Sequence, residues 1–310
     1  MPMLIGMVVF TICLKYIFQT FKWSEIAYIL RSAKLLWLLV AGSLSILLFW
    51  FFRSLRWLVL LKAVGVHVCF LNLYFCTAMS LTVSTLTPLQ SGEILKIELL
   101  RRQNLMDRST GYSSLLLERV LDVFVISIIA VVGAIYHMYF NLDQASFWVV
   151  LAGFITLIIL VISLLLKIKA RFVTTEWMKQ MPLYAYDGRT VFIVMVITFC
   201  SWAMVAIGWQ VCLFSISLHL ALGEIIFMVA SLSIINVLSF VPGAVGVFEV
   251  GVTAFLLHFG QNAALAQTGA IILRFQLLLI VVLGAIHYVL WKYWKTGGDL
   301  QCNRPQGRPD

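Results

Sequence analysis

Thr85-Leu86-Thr87-Pro88-Leu89-Gln90-Ser91-Gly92-Glu93 and Ser239-Phe240-Val241-Pro242-Gly243-Ala244-Val245-Gly246-Val247-Phe248-Glu249 interrupt a chain that otherwise reads as lipid-soluble. Proline removes a backbone donor and glycine loosens a helix, so each stretch is expected to unwind a helix or turn a hairpin at membrane depth. Pro88, Gly92, Pro242, Gly243 and Gly246 are the residues expected to form these turns. Irregular backbone survives there only when it is buried in protein or lines a polar cavity. A matching pair in two halves of a chain therefore points to a transporter-like binding site.

Composition sets the class. Hydrophobic residues make up 62% of the 310, charged residues only 11%, and the mean hydropathy is +1.02. This is the profile of an integral membrane protein. Uncharged runs cover residues 35–52, 63–92, 123–142, 144–166, 190–223, 225–248, 250–273 and 275–291. Most approach the roughly 20 residues that span a bilayer as helix. The expected fold is an all-α membrane domain over residues 1–295, with about six full spans, two broken or re-entrant hairpins and a disordered cytoplasmic tail over 296–310. The first apolar stretch, 2–14, lacks a preceding basic residue and a small-residue cleavage pattern, so it reads as an anchoring helix.

The net charge of +9 could suggest nucleic acid in a soluble protein, but here the basic residues flank apolar runs, and no nucleic-acid partner is expected. Lys96, Arg101, Arg102 and Arg108 form one cluster. Lys167, Lys169, Arg171, Lys179 and Arg189 form a second, and Lys292, Lys295, Arg304 and Arg308 a third. The positive-inside rule places all three, and the C-terminus, in the cytoplasm. Spans over 112–138 and 147–166 then leave from one cluster and return to the next, with an outer loop over 139–146. The segment 190–217 runs outward, 224–260 is a hairpin opening outward, and 266–291 returns. In the first half 35–61 runs inward, with Arg53, Arg56 and Lys62 towards the cytoplasm, and 70–99 is a hairpin opening to the cytoplasm. Lys22, Arg31 and Lys34 fit this arrangement poorly, because their loop would be external.

Two units, 35–138 and 190–291, are thus expected to form an inverted repeat. The spacing agrees: Pro88 to Arg119 is 31 positions and Pro242 to Arg274 is 32, while Glu93 to Arg119 is 26 and Glu249 to Arg274 is 25. The six cysteines show no paired spacing, so neither a metal nor a disulfide is expected, and the five histidines read as interfacial or packed.

Ser54-Leu55-Arg56-Trp57-Leu58-Val59-Leu60-Leu61-Lys62-Ala63-Val64-Gly65, Pro88-x-x-x-Gly92-Glu93-x-x-Lys96, Glu118-Arg119-x-x-Asp122 and Pro242-Gly243-x-x-Gly246-x-x-Glu249 occur in that order. In combination they resemble the lysylphosphatidylglycerol synthase transmembrane, or flippase-like, family over about residues 30–292. Members fused to a soluble aminoacyl-transfer domain make and move aminoacylated phospholipid. Standalone members are assigned to other lipids, including polyprenyl-linked and hopanoid ones. The chain leaves no room for the synthase domain, and Leu89-Gln90 departs from the small and basic residues that members often carry there. The resemblance implies a bacterial or archaeal cell membrane, an anionic or polyprenyl-linked lipid as substrate, and a lipid-biosynthesis enzyme as an alternative partner.

A charge in hydrocarbon costs about 2.5–3.5 kcal/mol even on the mildest scale, so Glu93, Glu118, Arg119, Asp122, Glu249 and Arg274 should face protein or a wet cavity. Arg119 and Arg274 carry the planar fork suited to a lipid phosphate. Helix N-termini at Pro88 and Pro242 would add backbone donors. Hydroxyls and amides at Ser80, Thr82, Ser84, Thr85, Thr87, Ser231, Ser233, Asn236 and Ser239 could line the path of a polar head. Against this, Glu118, Arg119 and Asp122 share a helix face and could form a self-contained ion cluster. Arg56 and Lys62 could snorkel, and Glu93 and Glu249 could merely brace their hairpins. The leading function is a lipid translocator. The alternatives are a non-transporting partner subunit of a lipid-synthesising or glycosyltransferase enzyme, and a membrane lipid-modifying enzyme. No catalytic signature, metal site or cofactor motif is found.

Overall fold

Within the described residues the apolar runs fold as helices. The computed structural model describes residues 2–140, 186–238 and 241–296, and among them there is no strand. In chain order the helices are α1 (Pro2–Thr20), α2 (Trp23–Arg31), α3 (Leu35–Ala63), α4 (Phe70–Leu86), α5 (Ile94–Arg101), α6 (Arg108–Phe140), α7 (Gly188–Phe214), α8 (Leu222–Leu238), α9 (Val247–His258) and α10 (Ala263–Thr296). Short 3-10 turns at Pro88–Glu93 and Pro242–Ala244 join α4 to α5 and α8 to α9. Among the described residues, helices α3, α7 and α10 are long and apolar enough to cross a bilayer. The expected span 147–166, the second basic cluster up to Lys179, Ser239 and the tail beyond Thr296 lie outside the described residues.

Apolar solvent does not drive helices together in a membrane, so close contact depends on small residues and interhelical hydrogen bonds. The main pairings show this. At the α3/α7 contact a Cβ on Gly208 would lie 2.5 Å from Ser45 Oγ, and Gln276 Nε2 of α10 donates to the same oxygen at 3.3 Å. At the α6/α8 contact a Cβ on Gly133 would sit 3.0 Å from the Phe227 nitrogen. Leu213, Met228, Phe248, Val252 and Leu273 meet in the largest apolar cluster, which ties α7, α8, α9 and α10 together.

The two hairpins open toward opposite ends of the bundle. At the mouth of the first, Asn72 donates to Gln103 at 2.7 Å, and Trp291 near the end of α10 donates to Asn72 at 3.4 Å. The mouth of the second leads through a short loop straight into the start of α10, where Gln267 binds the α1–α2 corner by accepting from Lys22 N and donating to Thr20 O. A 34-residue α10 is about 50 Å long at 1.5 Å per residue, which separates the two mouths. The tips meet between them: a Cβ on Gly243 would lie 3.5 Å from the Thr85 carbonyl oxygen.

Three expectations need correcting. Lys96, grouped with the loop cations, is buried on α5, because α5 turns Lys96, Ile97 and Leu100 inward together. Arg56 does not snorkel; it is 1% exposed, because α3 aims it at carboxylates on α6, while Lys62 is exposed as expected. Cys69 is disulfide-bonded, although Cys13, Cys200 and Cys212 are free thiols. Spacing along a chain carries no information about which cysteines meet in space. The remaining loop cations behave as read: Arg101, Arg102 and Arg108 surround Glu98 and hold its carboxyl down at about 2, chiefly through the Arg101 hydrogen bond.

Candidate functional site

Both hairpin tips follow from the same local physics. A residue before proline is pushed out of the helical region. Thr87 (φ −100°, ψ 144°) and Val241 (φ −83°, ψ 124°) are accordingly extended; Thr87 caps the end of α4, and Val241 leads into the second turn three residues beyond the last described residue of α8. Two residues after each proline a non-glycine residue is left-handed, Gln90 (φ 52°) in the first hairpin and Ala244 (φ 48°) in the second, where Gly243 (φ 62°) is already left-handed before it. Glycine is required beside them. A Cβ on Gly92 would lie 2.3 Å from the Ser84 nitrogen, and Gly246 combines φ 84° with a 2.6 Å approach to Cys13 on α1.

A left-handed non-glycine residue costs about 1–3 kcal/mol and persists only where its surroundings over-determine it. In each hairpin an arginine supplies that constraint. Arg119 of α6 pairs with Glu93 and donates to Gln90 Oε1 at 3.1 Å. Arg274 of α10 pairs with Glu249 through Nε and through Nη2 at 2.8 Å. It also donates to the carbonyls of Gly243 (2.8 Å) and Ala244 (3.3 Å). Glu249 Oε2 in turn accepts from Gly246 N at 2.7 Å. The matched spacing in the sequence is therefore a matched contact, with the arginine of the following span gripping its own hairpin tip. The N-terminus of α9 is satisfied in part by its own Glu249, and Pro88 opens a 3-10 turn rather than an α-helix.

Behind the first tip lies a buried ion network. Asp122 accepts from Arg53 Nη1 at 2.6 Å and Arg56 Nη1 at 2.7 Å. Glu118 accepts from Arg56 Nε at 3.2 Å and pairs with Lys96. Arg56 also donates to Thr198 Oγ1 of α7 at 3.3 Å. Glu118, Arg119 and Asp122 are thus not a self-contained cluster. Their carboxylates face α3 and α5 while the arginine faces the hairpin tip, so the network bolts four elements together.

Between the tips and α3 is a cavity of about 190 Å³, several times the roughly 30 Å³ share of one water molecule. Its charged lining is Arg53, Glu93, Arg119 and Asp122, and its polar lining includes Ser84, Thr85, Thr87, Gln90 and Asn236. Of the expected site residues, Glu93, Arg119 and Asp122 line it, whereas Glu118 stands one layer behind. Arg274 and Glu249 are not in the lining; Arg274 holds the carbonyls of Gly243 and Ala244, which form one wall. Ser80, Thr82, Ser231 and Ser233 are not in the lining either. Sequence reasoning missed Arg53 and Trp202 as lining residues. Arg53 sits three positions before Arg56, on the same helix face, which was a usable signal; for Trp202, an apolar residue in an apolar run, there was none.

These features define an all-helical integral membrane protein in which two broken hairpins, open to opposite ends, close a charged cavity with their tips. The chain matches the family described as the lysylphosphatidylglycerol synthase TM region over residues 3–285, and it belongs to that family. Comparison with curated proteins finds no match. Membership associates the chain with lipid modification or transport.

Proposed function

We propose that this protein moves a lipid with a polar, phosphate-bearing headgroup across the membrane, with the head passing through the cavity between the hairpins and the chains remaining in the bilayer. The observation that carries this reading is the cavity itself: charged groups from α3, α6 and the first hairpin tip, facing the backbone of the second tip, inside an otherwise apolar chain. Such groups are retained at membrane depth where a substrate path needs them. Units 35–138 and 190–291 act as counterpart halves, each carrying one hairpin and the arginine that holds it. Hinging at the two pre-proline breaks would expose the cavity to one end and then the other.

The test is reconstitution. Proteoliposomes holding the purified protein and a fluorescently labelled phosphatidylglycerol are treated with a membrane-impermeant quencher. Loss of signal beyond the outer-leaflet fraction, faster than in protein-free vesicles, is the expected result. Rates equal to protein-free vesicles across anionic and polyprenyl-linked lipids would overturn the reading in favour of a non-transporting partner subunit.

A further inference from the structure

The cavity is surrounded by unused hydrogen-bond donors. Trp50 Nε1, Arg53 Nε and Trp202 Nε1 are buried with no partner among the described residues, and all three side chains line the cavity. Against these three donors, Asn236 Oδ1 is the one unpartnered acceptor on a lining residue among those described. Buried donors left unpaired are costly, and a cluster of them calls for a ligand rich in acceptors. The charge points the same way. Around the cavity and behind it, Arg53, Arg56, Lys96 and Arg119 face Glu93, Glu118 and Asp122, four basic side chains against three acidic ones among the described residues. A surplus of one positive charge suits the single charge of a phosphodiester. Unlike Arg274, whose fork is taken up by its hairpin, Arg53 makes one hydrogen bond among the described residues, from Nη1 to Asp122. Its guanidinium lies 5.1 Å from the Phe49 ring and 5.5 Å from the Trp202 ring.

A second cavity adjoins the first. It is an apolar groove of about 690 Å³ between α6, α7 and α8, in the range that holds small-molecule ligands. Its rim residues Val132, Ile207 and Leu222 are 50–68% exposed, so it opens sideways to the bilayer. Ile126 and Trp202 line both cavities. We propose that the two form one bipartite lipid site, in which Arg53 with the Trp202 indole anchors the phosphodiester and the α6/α7/α8 groove takes a hydrocarbon chain of the same molecule. Because the groove is apolar, faces lipid and meets the charged cavity at Trp202, its occupant is the chain attached to the phosphate held there. This rests on the transport reading and deepens it by naming the substrate's two subsites.

Binding in detergent tests the site without requiring transport. The probe is phosphatidylglycerol with brominated chains, which quenches nearby indoles; the comparators are brominated diacylglycerol and glycerophosphoglycerol, the same phosphodiester without chains. Part of the quenching should vanish in Trp202→Phe. Arg53→Gln should weaken phosphatidylglycerol binding about tenfold or more while leaving diacylglycerol binding unchanged. Ala203→Phe, which fills the groove from an exposed lining position, should weaken binding of the lipid but not of glycerophosphoglycerol. Should Arg53→Gln not fold, Arg53→Lys decides, since it keeps the charge opposite Asp122 and loses the fork. Unchanged lipid affinity in the Arg53 variant overturns the phosphate subsite. Quenching independent of Trp202, or glycerophosphoglycerol binding as tightly as the lipid, overturns the groove. Specific binding without translocation in vesicles would leave this site standing and remove the transport reading. Translocation indifferent to Arg53→Lys and Ala203→Phe would do the reverse.

Discussion

Replacing Glu118 with glutamine should damage the protein more than replacing the cation it binds. Glu118 is fully buried, and two buried cations depend on it. Arg56 would keep Asp122 at 2.7 Å and Thr198 at 3.3 Å. The ammonium of Lys96 would keep the Trp57 ring 4.6 Å away but lose its charged partner. Stranding a buried charge costs about 3–5 kcal/mol, which is the expected loss for Glu118→Gln. Lys96→Met removes the stranded charge instead and leaves Glu118 paired to Arg56, so its cost should be about 1.5–3 kcal/mol, the worth of one charged hydrogen bond. The double variant should lose about 2 kcal/mol less than the sum of the singles, because the charge that Glu118→Gln strands is then absent. Equilibrium unfolding of all four proteins in one detergent, followed by tryptophan fluorescence, gives the cycle. Additive losses, or a larger loss from Lys96→Met than from Glu118→Gln, would refute the reasoning.

Gly92→Ala should disrupt the first hairpin, since the new methyl would overlap the α4 backbone at Ser84; lower folded yield is expected, whereas Gly65→Ala, where nothing lies within 4 Å, should show only the strain of its positive φ. Arg274→Gln should release the second tip by removing contacts to Glu249, Gly243 and Ala244. Translocation should fall much further than folded yield, and Arg274→Lys should restore part of it; wild-type translocation by Arg274→Gln at normal abundance would return that grip to a purely structural role. For topology, cysteines introduced at Gln103 and Thr296 should resist a membrane-impermeant maleimide applied to intact cells, while one at Asn262 should react. Labelling at Gln103 would reverse the assignment of sides.

Much of the architecture was legible because it depends on local chemistry. Hydropathy alone marks helices such as α3 and α7, since a backbone in hydrocarbon must satisfy its own hydrogen bonds. Pro88 and Pro242 mark the tips because the residue before each cannot stay helical. The hairpin-to-arginine spacing was also readable, and its partners Glu93 and Glu249 could be named, because a membrane charge needs an opposite charge within reach. The direction in which each side chain faces depends instead on packing between helices. Arg56 and Lys96 read as interfacial cations beside apolar runs, yet they are buried on Glu118, and a pattern of residue types does not encode which neighbouring helix presents a carboxylate at that depth. Cys69 escaped for the same reason, since disulfide pairing is a distance between Cα atoms and not a spacing in the chain. The cavity likewise depends on helices far apart in sequence. Arg53 and Trp202 meet because α3 packs on α7 through Gly208 and Ser45, and that close approach, a product of packing volume, sets which charges line the space between the tips.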